Sequence, residues 1–168
     1  MGNPLLRQVA APVTRFDQSL RELIADMDDT MRALNGAGIA APQIGVSLRV
    51  VIFEVRENPR YPQVAPVPYT KLINPVLTPL GDEQEEGWEG CLSIPDIRGM
   101  VPRYTDITVR ALDRDGRATE LRLKDFPARV AQHETDHLDG VLFFDRMASM
   151  QSLTYLEEFS RFHSKDDD

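Results

Sequence analysis

The segment His133-Glu134-Thr135-Asp136-His137 restricts the fold of this chain more than any other, because it contains two of the three histidines. Residues four apart lie on one face of an α-helix, so both imidazoles can converge on one metal ion when this segment is helical. Apolar residues around it recur at helical spacing, and Gly140 is a typical helix end. Glu134 follows the first histidine and can act as a base toward water at the ion. The segment therefore predicts a metal site on a helix.

A catalytic metal site usually has three protein ligands and one open position, so a third ligand must come from elsewhere in the chain. Cys91 is a candidate because its thiolate would complete a shell with two histidines, although a single cysteine is more often a small buried apolar residue. Glu157 and Glu158 are the alternative, since a glutamate about 20 residues after the second histidine is the layout of a zinc metalloprotease. His163 is a weaker candidate. The motif alone leaves these choices open.

Composition limits the classes to which the protein can belong. The chain has 168 residues, of which 42% are hydrophobic and 27% charged, and these values fit one globular domain over residues 1–168. No run approaches the roughly 18 apolar residues of a membrane helix. A net charge of −8 and a pI near 4.9 argue against nucleic-acid binding, which needs a basic surface. Cys91 is the single cysteine and cannot form an internal disulfide, so we expect a reducing compartment.

Hydrophobic periodicity predicts both helices and strands. Apolar residues at three- and four-residue spacing predict a helix over Asp17–Leu34, with a cap at Asp17 or Ser19. The histidines lie on a second predicted helix at 126–139, and Leu153, Leu156 and Phe159 mark a final one. β-branched and aromatic residues predict four strands, namely Leu48–Val55, Thr70–Leu77, Thr105–Leu112 and Thr119–Leu123. The last two flank Asp113-Arg114-Asp115-Gly116, which is typical of a hairpin turn.

Prolines and glycines mark the connections. Several prolines predict a surface loop over residues 58–69, because proline removes backbone donors and blocks a central strand. Pro75 interrupts the strand Thr70–Leu77, which is therefore predicted to lie at a sheet edge. The small residues of Gly36–Gly45 allow another group to approach the backbone closely. This segment lacks the Gly-Lys-Ser/Thr sequence of a phosphate-binding loop. Taken alone, it is expected to be a tight connection, and a substrate-lining segment is the alternative.

Three separated segments together resemble the peptide deformylase family. The segment Gly36–Gln43, with the sequence GAGIAAPQ, is similar to the first motif of that family. Glu89–Ser93, EGCLS, reproduces the second motif, and Gln132–Gly140, QHETDHLDG, reproduces the third. The segments occur in the family's order, and the resemblance extends from the opening residues to about Asp145. Three motifs in one order are far more specific than any one of them.

The resemblance implies a metal-dependent hydrolase that removes the N-formyl group from the formyl-methionine of newly made polypeptides and releases formate. It implies an α+β fold in which antiparallel β-sheets wrap around a central metal-binding helix, with an N-terminal and a C-terminal helix. The metal ligands that it implies are Cys91, His133 and His137. A zinc metalloprotease with a downstream glutamate ligand is one alternative, and a non-enzymatic binding module stabilised by a metal is another.

The resemblance also implies roles for residues that do not bind the metal. Glu134 would move protons, and Gly38 would offer backbone contacts to the peptide substrate. The Gln43 amide and the Leu92 backbone N–H would stabilise the oxyanion. Trp88 is expected to pack in the core or to line the wall of the cleft.

Two acidic residues are candidates for support of the metal ligands. Glu89 and Asp136 are expected to orient the ligand histidines or to pair with Arg98 or Arg103, because a ligand histidine normally donates its other N–H to an acceptor. The competing interpretation is that both are ordinary surface charges.

Two imidazoles and a thiolate suit Fe²⁺, Zn²⁺, Co²⁺ or Ni²⁺, and the resemblance implies Fe²⁺ in the cell.

The implied partners are nascent N-formylmethionyl peptides, with transient ribosome association but without nucleic-acid or membrane binding. We expect the protein to be located in the bacterial cytoplasm, or in a mitochondrial or plastid matrix if it is an organellar form. The sequence begins some residues later than is usual in the family, which predicts a shortened N-terminal strand. The proline-rich loop 58–69 is an insertion relative to the smallest bacterial forms and is expected to shape substrate access.

Overall fold

The computed structural model describes residues 1–55 and 66–164. The strands are β1 Gly38–Ala40, β2 Val50–Val55, β3 Val67–Pro79, β4 Gln84–Cys91, β5 Ile94–Tyr104, β6 Asp106–Leu112, β7 Ala118–Lys124 and β8 Thr154–Tyr155. The α-helices are α1 Gln18–Ala33, α2 Asp125–Leu138, α3 Phe143–Arg146 and α4 Leu156–Phe162. Short 3₁₀ helices are Pro4–Arg7, Ala41–Ile44 and Met150–Ser152. None of the helices in this part of the chain is both long enough and apolar enough to span a membrane.

A five-stranded sheet with the order β1-β2-β3-β6-β7 lies between α1 and α2. The strand β2, between β1 and β3, buries both of its faces, which explains its continuous apolar sequence. Val50 and Ile52 pack in the cluster around α1, whereas Val51 and Phe53 pack in the cluster that includes α2. Pairing within this sheet is antiparallel throughout. The antiparallel sheets and the helices packed against them confirm the predicted α+β fold.

Helix α1 forms where the apolar stripe predicts it. The Asp17 side chain accepts a hydrogen bond from the Ser19 N–H at 3.1 Å and so caps the first turn. Beyond the helix end, Asn35 adopts a φ of 56°, the left-handed conformation that stops a helix. The residues of the stripe are buried against the sheet, namely Leu20, Leu23, Ile24, Met27 and Met31.

The prediction that Pro75 places its strand at a sheet edge is wrong. β3 lies between β2 and β6, and Pro75 falls in a register shift between Ile73 and Val76, where the ladder needs no N–H donor. Asn74 bends the strand there with a φ of 52°. Its side chain accepts a hydrogen bond from the Val13 N–H at 2.8 Å and donates one to the Val13 carbonyl at 2.9 Å.

The proline-rich loop was predicted over residues 58–69. Residues 56–65 lie outside the described residues, so the structure does not test the loop there. For the last residues of the predicted loop, from Val67 on, the prediction is wrong, because β3 begins at Val67 and pairs with β2 there. The strand therefore forms although it contains Pro68, which is exposed there. Cross-strand pairing along Val67–Pro79 outweighs the tendency of proline to break a strand.

A second sheet has the order β4-β5-β8 and covers the other side of α2. β4 and β5 form a long hairpin whose turn consists of Leu92 and Ser93. The hairpin packs on α3 through a smaller apolar cluster that includes Phe143. Helix α2 thus lies between the five-stranded sheet and the β4–β5 hairpin, and Cys91 ends β4 beside it. The β6–β7 hairpin forms around the predicted turn.

Candidate metal centre

Three metal-ligating side chains come together where the β4–β5 hairpin meets α2. Their donor atoms, one each from Cys91, His133 and His137, all lie within 4.8 Å of one another. His133 and His137 lie on successive turns of α2, and Cys91 is the last residue of β4. The exposed fractions of these three residues are 5%, 9% and 1%, so all three are almost fully buried.

The geometry of the cluster fits one small divalent ion. A tetrahedral ion holds sulfur at about 2.3 Å and imidazole nitrogen at about 2.1 Å, which places the two ligand atoms roughly 3.5 Å apart. Cys91 Sγ and His137 Nε2 are 3.4 Å apart. Two imidazoles and one thiolate also leave a fourth position open, as a catalytic site requires. The donor set and its spacing therefore suit a catalytic metal.

The two histidines have different surroundings. Burial, together with the positive charges of His133 and Arg103, lowers the pKa of His137 to about 3, so this imidazole is neutral and available as a ligand. Burial alone would also lower the pKa of His133, but hydrogen bonds to Cys91 and Glu89 and nearby negative charge raise it well above its usual value. His133 is thus held in place by partners on β4.

Glu89 is the centre of the support behind His133. Its carboxylate lies 2.8 Å from His133 Nδ1 and accepts hydrogen bonds from Arg103 at 2.8 and 3.0 Å. Arg129 donates a further hydrogen bond to it at 3.0 Å. Burial would raise the pKa of Glu89, but the hydrogen bonds and charges of Arg103 and His133 hold it well below its usual range. The carboxylate is therefore ionised and fixes the orientation of the His133 ring.

Asp136 extends this network along α2. Its carboxylate accepts hydrogen bonds from Arg103 at 2.6 Å and from Arg146 at 3.0 Å. Arg103 thus joins Glu89 on β4 to Asp136 on the metal helix. We define the Glu89 network as Glu89, Arg103, Arg129, Asp136 and Arg146. Of the two arginines that the sequence offered as partners for the acidic pair, Arg103 takes this role.

Two members of the Glu89 network do not follow from the sequence. Arg129 also donates to the backbone carbonyls of Glu85 at 2.7 Å and Val101 at 2.8 Å, so it joins α2 to both strands of the hairpin. Its position four residues before His133, on the same helix face, is a signal that could have found it. Arg146 has no comparable signal, because it lies on a separate short helix.

Gln43 enters the site from the short 3₁₀ helix that follows β1. Its Oε1 accepts a hydrogen bond from the Ala40 N–H at 2.8 Å at the start of the 3₁₀ helix Ala41–Ile44. This contact directs Nε2 toward the hairpin turn, where it donates to Ser93 Oγ at 3.1 Å and approaches Cys91 Sγ at 3.7 Å. A backbone contact therefore fixes the amide donor of Gln43 beside the metal ligands.

Gly38 packs directly on Glu134. A Cβ added at Gly38 would lie 2.8 Å from Glu134 Oε1 and 2.9 Å from its Cγ, which is closer than real Cβ contacts. A Cβ at Gly36 would lie 2.8 Å from the Leu92 side chain. The two glycines therefore leave room for groups of the site, which agrees with the close approach that their small size predicts.

A cleft lies beside the metal centre between the edge strands β1 and β4. Trp88 and Leu92 line it on the hairpin side, and the Gly36–Gly38 segment lines it on the other. Phe126 and Val130 of α2 line it next to His133 and Glu134. The cleft therefore gives access to the centre from between the two sheets.

The alternative third ligands lie elsewhere. Glu157 and Glu158 are on α4 and both pair with Arg161, at 3.8 and 3.3 Å. The ring of His163 packs against Trp88 at a centroid distance of 5.0 Å. None of these three residues belongs to the metal-ligating cluster found in residues 1–55 and 66–164. The arrangement expected of a glutamate-ligand metalloprotease is therefore not formed.

The chain is similar to known proteins over most of its length. A family model described as polypeptide deformylase matches residues 1–153. The chain is 53% identical over 158 residues to peptide deformylase 1 of Nitrosomonas europaea, covering 94% of this chain and 90% of the relative. It is 54% identical over 160 residues to peptide deformylase 1 of Prochlorococcus marinus, covering 94% and 83%.

Solved structures show the same similarity. A Met-Ala-Ser-bound class I type b peptide deformylase from Acinetobacter baumannii superposes with a TM-score of 0.84 at 41% identity, covering 88% of this chain and 94% of that chain. The peptide deformylase of Thermotoga maritima gives a TM-score of 0.78 at 40% identity, with coverage of 88% and 94%.

Proposed function

Because the chain belongs to the polypeptide deformylase family, we propose that Cys91, His133 and His137 hold the metal of a formyl-peptide hydrolase. The chain is an enzyme that removes the N-formyl group from newly made polypeptides and releases formate, and it depends on a metal. The observation that carries the ligand assignment is the meeting of three donor atoms within 4.8 Å of one another. A divalent cation there would supply Lewis acidity, which lowers the pKa of water towards about 7 and yields a nucleophile near neutral pH.

Glu134 is the proposed proton carrier. It follows the ligand His133 on α2, is 5% exposed and lies in the cleft against Gly38. Its carboxylate accepts a proton from the water that attacks the formyl carbon and passes it to the leaving amine, so the products are formate and a free N-terminus. The close packing of Gly38 restricts the rotamers of Glu134 and keeps its carboxylate beside the reacting atoms.

Two donors are proposed to stabilise the negative charge that develops on the formyl oxygen. Gln43 Nε2 is fixed by the contact of its Oε1 with Ala40, so it does not need to reorganise during the reaction. The backbone N–H of Leu92 follows directly after Cys91 in the hairpin turn. A single donor of this kind contributes about 3–4 kcal/mol in comparable sites.

The peptide is proposed to bind as an extended strand between the edges of β1 and β4. Each of these strands pairs with a neighbour on one side in its sheet, and the cleft runs along the other side. Main-chain groups of Gly38 can therefore pair with the substrate backbone. The methionine side chain would enter the apolar part of the cleft at Phe126 and Val130. The small residues of the Gly36–Gln43 segment leave space for the formyl group.

The finer identity of the cofactor and its setting are part of the proposal. We assign Fe²⁺ as the cellular ion, with Zn²⁺, Co²⁺ or Ni²⁺ able to replace it, on the softness of one thiolate and two imidazoles. The similarity to bacterial relatives supports the proposal that the enzyme acts in a bacterial cytoplasm. The reducing environment there protects the Cys91 thiolate. Residues 1–168 would act as a single catalytic domain. Transient ribosome association stays a prediction.

Replacement of Cys91 distinguishes this assignment from a glutamate-ligand protease. Cys91→Ala is expected to lose its bound metal, because one of three ligands is removed. Its rate of formate release from formyl-Met-Ala-Ser should fall at least 100-fold. Glu157→Gln is the control, since this exposed residue pairs with Arg161, and it should retain both. Metal content after dialysis and formate production are the measurements. Loss of metal in Glu157→Gln with retention in Cys91→Ala would overturn the ligand assignment.

A further inference from the structure

Trp88 connects the cleft to the C-terminal part of the chain. It lies on β4, three residues before Cys91, and lines the cleft. Its indole ring also packs against Phe159 at a centroid distance of 5.0 Å and an interplanar angle of 67°, and against His163 at 5.0 Å and 41°. These are favourable edge and tilted arrangements for aromatic rings. One side chain thus contributes to the wall of the cleft and contacts two residues that no step of the reaction uses.

The segment that carries these two rings is attached to the same hairpin. The Met100 N–H donates a hydrogen bond to Ser152 Oγ at 3.1 Å, and β8 pairs with Ile97 and Arg98 of β5. Phe159 and the helix-ending His163 are one turn apart, with ring centroids separated by 6.3 Å. Both rings therefore lie on the side of α4 that faces the hairpin. The backbone pairing holds α4 in position, and the two rings hold Trp88.

A fixed Trp88 has a direct consequence for peptide binding. An unpacked indole samples several rotamers, and a ligand that needs one of them must remove this freedom when it binds. Packing by Phe159 and His163 removes that freedom before the peptide arrives. The effect falls on affinity, because Trp88 lies outside the set of metal ligands, proton carrier and oxyanion donors.

We propose that Phe159 and His163 are positioning residues that fix Trp88 as a wall of the peptide cleft, so that α4 sets the affinity for the formylated peptide. This inference rests on the proposed function for the identity of that peptide. Loss of the Phe159 ring is expected to raise KM about fivefold to tenfold, as expected for one partly buried aromatic contact, with kcat within about twofold of wild type.

The chain has one tryptophan, so its fluorescence reports on Trp88 alone. Phe159→Leu should shift the emission of Trp88 to longer wavelength, raise KM for formyl-Met-Ala-Ser, and weaken binding of the product Met-Ala-Ser by a similar factor in a fluorescence titration. Metal content should match wild type. Phe162→Leu is the matched control, because Phe162 lies on the same helix and is 62% exposed. It should change none of these values.

A milder variant keeps the test decisive if Phe159→Leu does not fold. His163→Ala removes the second ring contact at the helix end and should raise KM about twofold to threefold. An unchanged KM and product affinity in a variant that shifts the Trp88 emission would overturn the inference. Equal losses of kcat, metal and KM would overturn it as well, since they indicate a general structural role. If wild type releases no formate, the proposed function fails, and the Met-Ala-Ser titration still decides the role of α4.

Discussion

Two arginine–glutamate pairs in this molecule have similar distances and opposite surroundings. In the Glu89 network, Arg103 and Glu89 are 2.8 Å apart, with side chains 5% and 4% exposed. On the β6–β7 hairpin, Arg110 and Glu120 are 2.6 Å apart, with side chains 77% and 56% exposed. Distance alone would rank the two pairs equally.

Their surroundings give the pairs different consequences. Water and salt screen the exposed pair, and two long side chains must be ordered to form it, so it contributes little. Removal of one partner of the buried pair leaves an uncompensated charge in the interior, which costs several kcal/mol. Glu89 also contacts the ligand His133. The buried pair therefore links stability to the metal site, whereas the exposed pair links two strands that already share a ladder.

The largest effect is expected for Glu89→Gln. The amide cannot compensate Arg103 and Arg129 or hold the His133 ring as the carboxylate does, so the free energy of unfolding should fall by about 3–5 kcal/mol. Metal affinity should fall about 10- to 100-fold, as for other residues that orient metal ligands. Urea unfolding and competition with a chelator measure the two effects. If this variant binds metal with wild-type affinity, Glu89 does not support the metal site.

A smaller effect is expected at the end of the Glu89 network. The Arg146 side chain is 52% exposed while Asp136 is 11% exposed, and the pair has two contacts, at 3.0 and 3.3 Å. Arg103 still compensates Asp136 when Arg146 is replaced. Arg146→Met should therefore lower the unfolding free energy by about 1 kcal/mol and leave metal affinity within about threefold of wild type. A loss as large as that of Glu89→Gln would show that the network acts as one unit.

The smallest effect is expected on the β6–β7 hairpin. Arg110→Met removes the exposed pair with Glu120 and should leave urea unfolding, metal content and formate release unchanged within error. High salt should likewise leave the difference between Arg110→Met and wild type near zero, because screening already weakens this pair. A destabilisation comparable to that of Arg146→Met would contradict the comparison between buried and exposed pairs.

The sequence predicts the parts of the fold that depend on local patterns. The apolar stripe of α1, the hairpin around Asp113–Gly116 and the helix that carries His133 and His137 appear within one or two residues of their predicted bounds. Each depends on periodicity or on turn residues that act over a few positions. The motif around Cys91 predicts its meeting with the histidines through family resemblance.

Other features depend on distant partners and could not be predicted. Pro75 sits inside a central strand because Asn74 and Val13 stabilise a bulge there, and this contact spans 61 residues. The strand β4 has exposed acidic residues and glycines, so its pattern is weak, and its pairing with β5 creates it. Arg146 joins the Glu89 network only through tertiary packing. Local propensity contains no information about such contacts.

The account depends most directly on Glu134 as the proton carrier of a metal-dependent deformylation. Formate release from formyl-Met-Ala-Ser should be measured for wild type and Glu134→Gln, both loaded with Fe²⁺ under anaerobic conditions and checked for metal content. We expect wild type to release one formate per peptide, and Glu134→Gln to retain the metal while its rate falls about 10²- to 10⁴-fold. Equal rates in the two proteins, or a wild type that binds Fe²⁺ and releases no formate, would contradict it.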